Sequence, residues 1–94
     1  MKVELLAPFK DDLKDQTDFI ARDKPQAARK FKVNILKQIS KLDDNPYSNR
    51  RSIYYDDDCY RDLVFKGYKV IFKIDNPKNT VFVIGLVNMQ KGIK

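Results

Sequence analysis

Apolar and polar positions alternate through the C-terminal third of the chain with the period of a pleated surface. Residues 60–87, YRDLVFKGYKVIFKIDNPKNTVFVIGLV, fall into three runs rich in Val, Ile, Phe and Tyr, side chains that suit a half-buried sheet. Lys66-Gly67 separates the first two runs, and glycine supplies the positive φ of a tight hairpin turn. Residues 75–79, a cluster of turn formers, separate the second from the third. In the middle run Tyr68, Val70, Phe72 and Ile74 point one way, and Lys69, Ile71 and Lys73 the other. One face is therefore apolar and needs a cover, while the other is partly basic and open to solvent or a ligand. Residues 80–87 are apolar at both parities, which places this strand in the centre of the sheet.

The N-terminal half changes period. Val3, Leu5 and Leu6 suggest a short opening strand that ends at Ala7-Pro8. Residues 8–21 then read as a helix, with Phe9, Leu13, Gln16 and Ile20 along one side. Asp23 or Lys24 caps a second helix, with Pro25 in its first turn. It runs to about Leu42 on a stripe of Ala28, Phe31, Ile35, Ile39 and Leu42. Two amphipathic helices so closely joined form an antiparallel hairpin, and their stripes belong on the apolar face of the sheet. Residues 50–55, RRSIYY, are a further strand candidate, with Asp56, Asp57 and Asp58 turning the chain back. The order is strand, helix, helix, then a mainly antiparallel meander of about four strands. This is an α+β fold in a single domain, residues 1–94.

Composition narrows the chemistry. Lysine and arginine number 19 against 13 acidic residues, a net charge of +6, which points to an acidic partner. Cys59 is the only cysteine and histidine is absent. The usual general base and the commonest metal ligand are therefore missing, and no cofactor is expected. Cys59 itself reads as a small packing residue. No apolar run is long enough to span a membrane, and no signal peptide is evident, so the cytoplasm is the expected location.

Several stretches together resemble the RelE/ParE superfamily, the toxins of type II toxin–antitoxin (plasmid stabilisation) modules. They are Tyr-Arg-Asp-Leu-Val at 60–64, Gly-Tyr-Lys-Val-Ile-Phe-Lys-Ile at 67–74, Val-Phe-Val-Ile at 81–84, and the helical passage with Ala27-Ala28 and Leu42-Asp43-Asp44-Asn45-Pro46. The resemblance covers nearly the whole chain and implies growth inhibition, a cognate antitoxin as partner, and one of two targets. ParE-like members resemble inhibitors of DNA gyrase, whereas RelE-like members resemble ribonucleases that cut mRNA in the ribosome. A basic interaction module without toxicity is the third reading, since one fold serves many functions.

RNA cleavage needs activation of a 2′-hydroxyl, charge stabilisation at the phosphate and protonation of the leaving oxygen. The resemblance makes Arg61 and Lys69 the candidate catalytic residues, with Lys91 in the tail. RelE-like toxins typically carry His or Arg after the last strand, often with a Tyr beyond. Residues 88–94 have none of these, and a lysine offers a point charge in place of a planar fork. That departure favours a toxin that acts by binding. Arg50, Arg51 and Lys73 are the candidate target-binding residues, and Tyr54, Tyr55 and Tyr60 are able to stack on bases. A regular hairpin through Lys66-Gly67 sets Arg61 opposite Phe72, on the apolar face, where an unpaired charge is costly. The family pattern places this arginine beside Lys69. A β-bulge between Asp62 and Phe65 reconciles the two by turning Arg61 to the open face and Tyr60 into the core.

Overall fold

Proline starts both helices of this protein. In the computed structural model, which describes residues 1–89, Pro8 and Pro25 sit in the first turns of helices α1 (Ala7–Ala21) and α2 (Pro25–Ser40). The missing proline N–H costs nothing there, because the first amides of a helix lack intrahelical acceptors. A strand, β1 (Lys2–Leu5), precedes α1. After α2 come two short 3-10 turns, Lys41–Asp43 and Pro46–Ser48, and then strands β2 (Arg50–Arg51), β3 (Tyr60–Phe65), β4 (Tyr68–Asp75) and β5 (Thr80–Asn88). The strands form one sheet in the order β1-β5-β4-β3-β2, with β1 parallel to β5 and the other pairs antiparallel. β5 is thus internal, as its two apolar parities require. The 50–55 strand expectation shrinks to Arg50–Arg51, because the chain leaves the ladder at Ser52 and residues 53–58 are turn and bend.

The helical hairpin lies on the face that carries Tyr68, Val70, Phe72 and Ile74. Phe9 and Leu13 of α1, Ile35 and Ile39 of α2, and Val81, Val83 and Leu86 of β5 complete the buried cluster. Phe31 packs against it from the rim, 4.7 Å from the Tyr68 ring. Ile20 is half-buried at the end of α1 and does not enter this cluster. Burial pushes the Tyr68 phenol above its ordinary pKa, because an apolar surrounding disfavours the phenolate.

The expected bulge is absent from β3. Tyr60 through Phe65 pair without interruption with Lys73 through Tyr68. The sheet is irregular elsewhere: Ile71 pairs with Gly85 and Phe72 with Val83, so Ile84 is the extra residue. Val83 and Leu86 both face the helices although three positions separate them, and one inserted residue satisfies both. The distortion leaves the Leu86 N–H to be accepted by Asp12 Oδ2 of α1 at 3.2 Å. An acidic side chain in the first helix thereby fixes the helical hairpin to the bulged strand. A neighbouring link runs from Asn88 Nδ2 to Gln16 Oε1 at 3.1 Å.

Phe72 is fully buried, so Phe72→Ala is expected to destabilise the fold by about 3–5 kcal/mol in urea unfolding. Phe31, being only part-buried, is expected to cost less on truncation. A Phe72→Ala loss below about 1 kcal/mol contradicts the core assignment.

Candidate target-binding face

Pairing register decides what each basic side chain can reach. Residues paired across neighbouring strands share a face. Arg61 pairs with Phe72 and therefore lies on the helix side, whereas Lys69 pairs with Val64 and lies on the open side with Asp62, Ile71 and Lys73. Arg61 and Lys69 are not brought together. Tyr60 pairs with Lys73 and also faces the open side, contrary to the core position that the bulge implied.

Arg61 avoids the cost of a buried charge because it is only half-buried and its guanidinium finds acceptors in the neighbouring loop. Its Nε donates to the Asp58 carbonyl at 2.8 Å and its Nη1 to the Asn49 carbonyl at 3.1 Å. The guanidinium also sits 5.1 Å from the centre of the Tyr47 ring, a cation–π contact. The arginine therefore fastens the loop that joins α2 to β3. Arg51 acts on the same loop: Nη2 pairs with Asp56 Oδ1 at 2.8 Å and Nε with Asp58 Oδ1 at 3.3 Å. Arg50 is exposed and pairs across the ladder with Asp62. Lys91 lies outside the described residues.

The open face is a lattice of lysines and aromatic rings. Lys69 Nζ stands 5.3 Å from the Tyr54 ring centre, Lys73 Nζ 5.7 Å from Tyr60, and Lys78 Nζ 5.7 Å from Phe82. Tyr55 stacks on Tyr60 at 3.9 Å. In the middle lies Asp62, 1% exposed, and neither carboxylate oxygen has a hydrogen-bond partner among the described residues. Sequence reading passed over Asp62 because an Asp between Arg and Leu in a strand carries no distinguishing pattern. Cys59 is half-buried and free. Among the described residues no group of three or more His, Cys, Asp or Glu is placed to hold a metal.

A concave surface lies on the helix side. Leu5 of β1, Lys10, Leu13, Lys14, Thr17 and Asp18 of α1, and Lys32 and Leu36 of α2 line a groove of about 470 Å³. Its floor is apolar and its rim basic. Asp18, the one acidic group in the lining, is bonded to Lys14 at 2.9 Å, and this hydrogen bond raises the Lys14 pKa.

A sequence profile described as "ParE toxin of type II toxin-antitoxin system, parDE" matches residues 3–90. The chain belongs to the ParE toxin family. No curated protein matches the sequence. Among solved structures, the "Chromosomal ParDE TA system from P. aeruginosa" superposes with a TM-score of 0.77 at 14% identity, covering 94% of this chain and 95% of that chain. At such identity the likeness establishes the fold, which is that of the helical hairpin on a mixed sheet. No helix among the described residues of this ParE toxin is long and apolar enough to cross a membrane.

The clasp formed by Arg61 makes it a structural residue of this ParE chain first of all. Arg61→Ala is expected to lower stability by about 1.5–3 kcal/mol, the range for hydrogen bonds that involve a charged group. Amide hydrogen exchange across residues 49–58 is expected to accelerate at the same time. Unchanged exchange there contradicts the clasp.

Proposed function

We propose that this ParE-family toxin inhibits growth by binding DNA gyrase in the cytoplasm, without cutting RNA, and that a cognate antitoxin neutralises it. One observation carries the choice of binding over cleavage. Arg61 and Lys69, the two strand cations that RNA cleavage would aim at one phosphate, lie on opposite faces of the sheet. A phosphate held by Lys69 lacks the planar, bidentate donor that an arginine provides. The missing histidine removes the side chain that most often moves a proton at neutral pH. What the open face offers is Lys69, Lys73 and Arg50 among tyrosines, a composition suited to docking on a macromolecule.

The antitoxin reading is supported by the groove between β1, α1 and α2. Its Leu5, Leu13 and Leu36 floor fits the apolar side of an amphipathic helix or strand, and Lys10, Lys14 and Lys32 fit acidic residues flanking it. Steering by those lysines makes association sensitive to salt.

The test is a supercoiling assay with purified gyrase and relaxed plasmid. The protein is expected to suppress supercoiling, and an equimolar amount of antitoxin, added afterwards, is expected to restore it, more slowly as salt rises. Full gyrase activity at a large excess of the folded protein contradicts the reading.

A further inference from the structure

No helix among the described residues covers the open face, yet Lys69 is only 7% exposed and Asp62 only 1%. The loop at residues 52–59 reaches across this face to Lys69. It leaves the sheet beside Tyr60, where the Ser52 N–H donates to the Tyr60 carbonyl at 2.8 Å. Tyr54 then meets the Lys69 ammonium at 5.3 Å, although Lys69 belongs to a row further along the sheet. Tyr60 pairs with Lys73, Asp62 with Ile71, and Val64 with Lys69, so the Asp62–Ile71 row lies between the two ends of this contact. The tyrosine ring and the lysine stem together bridge that row from opposite sides.

We propose that residues 52–59 are a strap that gates the open face, with the Tyr54–Lys69 contact as its latch and Arg51 as its tether. The latch is a half-exposed ring on a cation. The tether is a pair of solvent-exposed ion pairs to Asp56 and Asp58, and exposed pairs of this kind are individually weak. On the face that the latch crosses, Asp62 is held without a hydrogen-bond donor among the described residues, an arrangement that penalises the closed state. A closed form with weak fastenings and an unsatisfied carboxylate opens at low cost. Opening presents Lys69, Asp62 and Tyr60 together to a docking partner. The gate is a property of the chain alone; only its use in target binding rests on the open face being the docking surface.

Amine acylation with acetic anhydride, read residue by residue by mass spectrometry on the full chain, tests this without any target present. It therefore succeeds or fails independently of gyrase inhibition. Lys2 and Lys37, both exposed, serve as internal references. In the parent protein Lys69 is expected to react at least about tenfold more slowly than they do, as a group reached only through local opening. Arg51→Gln and Tyr54→Ala are expected to bring Lys69 towards the reference rate while β4 amides stay protected from exchange. Tyr54→Phe keeps the ring and is expected to keep Lys69 slow. Lys69 reacting as fast as Lys2 in the parent, or staying slow in both Arg51→Gln and Tyr54→Ala, overturns the proposal.

Discussion

The turn at Lys66 and Gly67 is the constraint on which the site depends. Both residues have positive φ, 47° and 82°, the combination that lets a two-residue connection follow the right-handed twist of its strands. A turn of that length fixes the pairing of β3 with β4 outright, and a shift of one residue would send every side chain to the other face. With the pairing fixed, Phe65 and Leu63 join Tyr68 and Val70 on the core side, while Val64 and Asp62 join Lys69 and Ile71 on the open side. Arg61 falls on the core parity by the same rule. The loop carrying Asn49 and Asp58 then supplies the acceptors that the helical hairpin does not.

The irregularity the sheet needs is taken up in β5. Val81 and Val83 pair with Ile74 and Phe72, and beyond Ile84 the strand resumes with Gly85 paired to Ile71 and Leu86 to Val70. The amide at Leu86 is recovered by Asp12, so the bulge doubles as an attachment point for α1. The two sides of the sheet consequently differ in kind. One is closed by a helical hairpin over a continuous core, and its outer groove is apolar with a basic rim. The other carries a short loop held by ion pairs and ring contacts.

Much of this was legible in the residues. The alternation at 68–74 identified the buried face, Pro8 and Pro25 marked the helix starts, and the 80–87 run showed an internal strand. The family was visible in the succession of these elements. The bulge lies in β5 and not in β3 because Arg61 stays on the core parity and finds its acceptors in the Asn49 and Asp58 carbonyls, neighbours that no local pattern encodes. Gly85 inside an otherwise apolar strand was the better signal, since an interior glycine often marks a bulge. Residues 52–55 have strand-forming side chains, but after Ser52 nothing remains for them to pair with, and their role as a cover depends on contacts with Lys69 and Tyr60 that no local pattern encodes. Asp62 and the Arg51 ion pairs were hidden for the same reason: burial and pairing of charges are set by tertiary geometry.

The central claim is that a sheet register which parts Arg61 from Lys69 leaves a toxin that binds and does not cleave RNA. Primer extension across an mRNA engaged by translating ribosomes, with and without the purified protein, addresses it most directly. The account predicts the same full-length products in both cases. Reproducible cuts within the ribosome-bound segment, lost in a Lys69→Gln variant, would contradict it.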